Sequence, residues 1–182
     1  MTWRTTCAKI SSLKTNFSDS NLNQSERSSV RAAGLRFLAR RDFSVAGLRE
    51  KLVGKFTEDS AEIEKVLAEF QEKNWLSDAR FCENMIREKS ELIKWGPRKI
   101  LWKLQEKGID RAMAENAMQE FFPEKSQVSI AVELATEKQK KIAGKKSDHP
   151  SQTKQKILGF LVNRGFDLSI ARAAIDFLDF EN

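Results

Sequence analysis

A chain of 182 residues, 40% hydrophobic and 32% charged, suits a soluble protein with modest cores and large solvated faces. The net charge of +6 is spread along the sequence, so it permits contact with nucleic acid or an acidic protein groove without requiring either. Two distant cysteines, Cys7 and Cys82, form neither a disulfide framework nor a zinc pattern, and no apolar run approaches the roughly 18 residues of a membrane span. Met1 to Arg27 is rich in Ser, Thr and Asn and reads as a disordered leader without the apolar stretch of a signal peptide, so a reducing cytoplasm is the expected location. From Ser28 onward the apolar spacing is helical, and 8 glycines with 3 prolines leave little punctuation for a sheet.

Val30, Gly34, Phe37 and Leu38 open the first helix, closed by Arg40 and Arg41. Leu48, Leu52 and Val53 mark a short second one, with Ser44 as its N-cap. Ile63, Val66, Leu67 and Phe70 form the third, started by Asp59 with Glu62 at capping-box spacing. Phe81, Met85, Ile86 and Ile93 lie on a fourth, capped near Ser77 or Asp78. Ile100, Leu101 and Leu104 form a fifth, with Pro97 in the first turn, where its missing N–H costs nothing. Met113, Ala117, Met118 and Phe121 make the sixth, and Ile130, Ala131, Leu134 and Ala135 a seventh running into a lysine-rich end. Ile157, Leu158 and Leu161 give the eighth; Ile170, Ala174, Phe177 and Leu178 give the ninth.

Internal repetition organises these helices. At an offset of 57 residues, Ile100 matches Ile157, Leu104 matches Leu161, Gly108 matches Gly165 and Asp110 matches Asp167. The register continues through Met113 with Ile170, Ala117 with Ala174 and Phe121 with Leu178, and Leu48 and Leu52 echo it in the first part of the chain. Gly108 and Gly165 fall where a helix ends in the left-handed conformation, with Leu104 and Ile109, or Leu161 and Phe166, as the apolar pair of a Schellman ending. Asp110 and Asp167 then cap the following helix. Each unit reads as a longer helix followed by helix, tight glycine turn, helix. The predicted organisation is a leader (1–27) and three three-helix repeats (28–76, 77–122 and 123–182), the last with a long first helix.

The ordered motifs resemble the RecX family of RecA regulators. Leu38-Ala-Arg-Arg-Asp-Phe-Ser44 followed by Leu48-Arg-Glu-Lys-Leu52 is similar to the family's opening motif. Trp75-Leu-Ser-Asp-Ala-Arg-Phe81, with Asp78, Arg80 and Phe81, matches its aromatic-Leu-x-Asp-x-Arg-Phe signature. Gly96-Pro-Arg-Lys-Ile100 leading to Leu104 and Lys107-Gly-Ile109, and then Leu161-Val-Asn-Arg-Gly-Phe166, follow in the family's order over Ser28 to Phe180. Gly47 stands where the family has Glu, leaving the capping box with Ser44 incomplete, and Cys82 replaces an Ala. The resemblance implies an all-α fold of three tandem units curved into an elongated array. It implies binding in the groove of the RecA–single-stranded-DNA filament, limiting filament growth, ATP hydrolysis and strand exchange in recombination, DNA repair and the SOS response.

Candidate contacts follow from the basic residues. Arg98, Lys99, Lys103 and Lys107 share one helix, opposite Ile100 and Leu104, and form an outward stripe fit for phosphates or an acidic groove. Lys154, Lys156 and Arg164 recur on the corresponding helix of the third unit, and Arg49 and Lys51 on that of the first. Arg40 and Arg41 complement a helix dipole as well, and the run of Lys138, Lys140, Lys141, Lys145 and Lys146 reads as a solvated helix end. Trp75 staples a helix start, while Trp95 and Trp102 are assigned to packing in preference to base stacking. His149 stands alone in a loop, and no glycine-rich phosphate loop is present, so neither metal, cofactor nor catalysis is expected. The expectation is a monomeric binding module with the RecA filament as partner, weak sequence-independent DNA affinity and no membrane contact. The rivals are a direct DNA-binding helix-turn-helix-like protein and a helical scaffold with no nucleic-acid role.

Overall fold

The structure, a computed structural model, describes residues 30–56, 60–143 and 150–178. The leader, Asp59, Lys145, Lys146 and His149 lie outside the described residues. Among those described the fold is all-helical, with helices α1 (Val30–Leu38), α2 (Val45–Val53), α3 (Ser60–Glu72), α4 (Asp78–Arg87), α5 (Pro97–Glu106), α6 (Arg111–Phe121), α7 (Glu124–Ala143), α8 (Pro150–Arg164) and α9 (Leu168–Asp176). A π-helical turn, Glu88–Leu92, extends α4. The chain divides into two compact units between Phe81 and Cys82, inside α4.

In the first unit α1, α2 and α3 pack against one another around Leu48, Leu52, Ile63, Leu67 and Phe70, each at most 1% exposed. Ser44 caps α2 by accepting from the Gly47 amide at 3.0 Å. The α3 helix ends at Asn74, which adopts φ 54°, with the Trp75 amide donating to the Phe70 carbonyl at 2.8 Å and the Asn74 amide to the Gln71 carbonyl at 2.9 Å. That is a Schellman ending built on asparagine, the side chain that best tolerates the left-handed region after glycine. The turn after α2 differs from the expected unit pattern: Gly54 sits at φ −64°, and the chain turns without a left-handed glycine.

In the second unit α5 packs on α6, and α7, α8 and α9 pack together. Gly108 and Gly165 take φ 75° and 96°, and each closes a Schellman pair: Ile109 amide to Leu104 carbonyl at 3.1 Å, Phe166 amide to Leu161 carbonyl at 3.2 Å. In α6 and α9 the expected positions Ala117, Met118, Ile170 and Ala174 are buried, and two others are exposed. Met113 is 40% and Phe177 72% exposed, while Ala114, Phe122, Ala171 and Ile175 are buried. The core-facing stripe therefore includes the expected positions and widens to their neighbours Ala114, Ala171 and Ile175. Val53 and Ile93 are likewise exposed, at 43% and 37%.

Candidate functional site

The basic side chains can be followed one element at a time. Arg40 and Arg41 lie in the turn beyond the end of α1, exposed, with the Arg41 guanidinium 4.5 Å from the Phe43 ring centroid. On α2, Lys51 is exposed, whereas Arg49 grips Glu64 of α3 through Nε at 2.6 Å and Nη2 at 2.9 Å. Those hydrogen bonds raise the pKa of Arg49 and lower that of Glu64. Arg49 therefore holds two helices of the first unit together, and a partner would have to displace Glu64 to engage it.

The basic residues of α5 are individually engaged with neighbours. Lys103 Nζ bonds both Glu106 oxygens at 2.9 Å and lies 5.7 Å from the exposed Trp102 ring. The Lys103 hydrogen bond pulls the Glu106 pKa down. Lys107 follows as the C-cap. Lys99 Nζ lies 4.6 Å from the Trp95 ring, with Lys89 Nζ at 5.6 Å from the same ring. Trp102 is 60% exposed, which overturns its assignment to packing. A tryptophan presented to solvent beside Lys103 is an aromatic contact suited to a partner surface.

Arg98 and Arg164 belong to a junction that the basic-stripe reading did not anticipate. There the C-terminus of α8 meets the N-terminus of α5, so the last carbonyls of one helix satisfy the first amides of the other. The Gly96 amide donates to the Arg164 carbonyl at 2.8 Å, and the Arg98 amide to the Gly165 carbonyl at 3.0 Å. The Arg164 guanidinium donates back to the Ile93 carbonyl at 2.8 Å. Asp167 occupies the N-cap position of α9 but makes no capping hydrogen bond; its Oδ1 lies 3.5 Å from Arg98 Nε instead. Asp110, by contrast, caps α6 by accepting from the Ala112 and Met113 amides at 2.9 and 3.2 Å. Lys94, at φ 57°, completes the junction by pairing with Glu133 and Glu137 of α7.

Both glycines of the junction are needed for close approach. A Cβ at position 96 would sit 2.3 Å from the Gly165 carbonyl carbon, and one at 165 would sit 2.6 Å from Lys99 Cβ. The motifs Gly96-Pro-Arg-Lys and Asn-Arg-Gly-Phe166 are thus two halves of one backbone contact. On α8 itself, Lys154 and Lys156 are exposed.

The Trp75–Phe81 segment is equally structural. Trp75 packs on Phe70 with ring centroids 5.8 Å apart, and Leu76 is 2% exposed. Ser77 Oγ accepts from the Arg80 amide at 3.3 Å and caps α4. Asp78 turns away from its own helix and accepts from the Val45 amide at the start of α2, at 2.8 Å. Arg80 donates to the carbonyls of Asn74 and Trp75 at 2.9 and 2.8 Å, fixing the left-handed turn, and Phe81 is buried. Each polar residue in the segment satisfies a backbone group at a helix end, which explains their fixed spacing.

The chain is similar to known proteins in sequence and in fold. The family model described as RecX, second three-helix domain, matches residues 77–118. A regulatory protein RecX of Neisseria gonorrhoeae is 37% identical over 150 residues, spanning 81% of this chain and 89% of that protein. The chain belongs to the RecX family. A regulatory protein RecX of Lactococcus lactis subsp. cremoris is 32% identical over 136 residues, covering 75% of this chain and 50% of that longer relative. The fold is similar to the crystal structure of RecX from Lactobacillus salivarius, with a TM-score of 0.72 at 24% identity over 81% of this chain and 92% of that one. A second RecX crystal structure gives a TM-score of 0.67 at 17% identity, over 86% of this chain and 79% of that one.

RecX relatives are named as regulatory proteins and not as enzymes. Among the described residues no group of three or more His, Cys, Asp or Glu side chains is placed to hold a metal, and no helix is long and apolar enough to cross a membrane.

Proposed function

We propose that this protein is a cytoplasmic, non-enzymatic negative modulator of RecA recombinase. It binds in the groove of the RecA–single-stranded-DNA filament and limits filament growth, ATP hydrolysis and strand exchange, with weak sequence-independent affinity for DNA. The observation that carries the reading is kinship with regulatory proteins named RecX over 81% of the chain. The exposed basic side chains Arg40, Arg41, Lys51, Lys154 and Lys156, and the Trp102–Lys103 pair on α5, support it as contacts for an acidic or phosphate-bearing surface. Three tandem three-helix units are part of the proposal, supported by the match of a three-helix domain to residues 77–118.

The mechanism is thermodynamic. A protein that binds one filament state better than another shifts the population by its difference in affinity, so suppression of ATP turnover requires no catalytic group of its own. The test measures single-strand-dependent ATPase of RecA with substoichiometric amounts of this protein, alongside its binding to naked DNA. Loss of ATPase without tight DNA binding is expected. Tight, specific duplex binding with ATPase intact overturns the reading in favour of a DNA-binding protein. The electrostatic part of the inhibition should weaken as salt rises.

A further inference from the structure

A groove of about 430 Å³ runs between α7 and α8 and is lined by Lys138, Ile142, Lys156, Gly159, Phe160 and Asn163 together with Gln155. Among the described residues the lining carries two lysines and no carboxylate. One lining residue is Gly159, which lies inside α8 on ordinary helical backbone. Glycine weakens a helix interior relative to alanine, so a packing or turning reason normally accompanies it. Neither operates here: a Cβ at position 159 would meet nothing within 4 Å. The related segment 57 residues earlier places Trp102 at the matching position, so the helical pattern does not demand a small residue. Beside Gly159, the Phe160 ring centroid lies 5.2 Å from Lys138 Nζ and 5.4 Å from the Arg164 guanidinium.

We propose that this groove docks an acidic amphipathic helix of a protein partner, with a bulky apolar side chain of that helix seated over Gly159. The missing side chain lets a second helix approach α8 closely, and Ile142 and Phe160 supply apolar walls for the anchor. Carboxylates on the flanking turns of the partner reach Lys138 and Lys156, which fixes orientation and excludes basic or neutral helices. A single nucleic-acid strand is the competing anionic occupant, and the oligothymidylate arm of the test distinguishes it. The inference rests on the reading of the chain as a protein-binding regulator. Its test is independent of RecA ATPase, so the groove can fail while the regulation stands.

The test uses the full chain and a fluorescein-labelled synthetic peptide of about four helical turns. The peptide carries leucines at i, i+3, i+4 and i+7 and glutamates elsewhere, and binding is read by fluorescence anisotropy. Gly159→Leu, which fills open space, and the double variant Lys138→Glu with Lys156→Glu should each weaken binding by at least about tenfold. Lys65→Glu, on exposed α3, should leave it unchanged. A peptide with every glutamate replaced by glutamine should bind at least about tenfold more weakly. Four results would overturn the proposal: no binding of the acidic peptide, equal binding by the glutamine peptide, affinity retained in the double lysine variant, or displacement of the peptide by oligothymidylate at lower concentration than by unlabelled peptide. The double variant decides the matter even where Gly159→Leu perturbs the helix.

Discussion

Substituting Gly165 by alanine separates the price of a left-handed turn from that of the junction between α5 and α8. Gly165 and Gly108 both adopt positive φ, at 96° and 75°, so an alanine at either costs about 1–2 kcal/mol for conformation. At Gly165 the added Cβ also meets Lys99 Cβ at 2.6 Å and the Lys99 amide nitrogen at 2.8 Å. Relief requires the two helix ends to separate, which breaks the Gly96–Arg164 and Arg98–Gly165 backbone hydrogen bonds, each contributing about 1 kcal/mol. The expected loss is therefore about 3–4 kcal/mol for Gly165→Ala against about 1–2 for Gly108→Ala. Urea titration followed by circular dichroism gives the free energies, and native-state hydrogen exchange should show faster exchange at the Gly96 and Arg98 amides only in the Gly165 variant. Gly96→Ala breaks the same contact, so the double variant should cost much less than the sum of the singles. Equal destabilisation by Gly165→Ala and Gly108→Ala, within about 0.5 kcal/mol, would refute the argument that backbone apposition holds these elements.

Three further outcomes can be checked. Glu69 is held to a pKa of about 2 by hydrogen bonds from Arg31 and then Lys73; its folded value lies below the unfolded one, so its contribution is full above the usual carboxylate range and is lost as pH falls toward about 2. Urea midpoints measured near neutrality and at acid pH should show a smaller acid-side drop for Glu69→Gln than for the wild type. Asp78→Ala removes the acceptor of the Val45 amide and should lower stability by about 1 kcal/mol, seen as a Tm loss of about 2–4 °C, while Asp78→Asn retains most of it. Trp102→Ala should cost less than about 1 kcal/mol because its ring is 60% exposed, against about 3–5 for Phe70→Ala at 0% exposed, and the Trp102 variant should instead weaken inhibition of RecA ATPase.

The all-helical class and most helix ends were legible in the sequence because they depend on short-range rules. Apolar spacing marks a helix, Pro97 and Ser44 start one, and Gly108 and Gly165 end one with their apolar partners four and one residues away. The ordered motifs pointed to the RecX family on the same local grounds. Tertiary packing decided the rest. It left Met113 in solvent where periodicity put it inside, and exposed Trp102, which the sequence reading assigned to packing. It drew Asp167 from its capping role to Arg98, and it turned Asp78 from its own helix to the start of α2. Above all it brought Gly96 against Gly165, 69 residues apart, in a contact that neither segment signals alone. Local backbone geometry is written in neighbouring residues, but which carbonyl meets which amide across a fold depends on how the apolar faces stack, and a single sequence carries no direct record of that pairing.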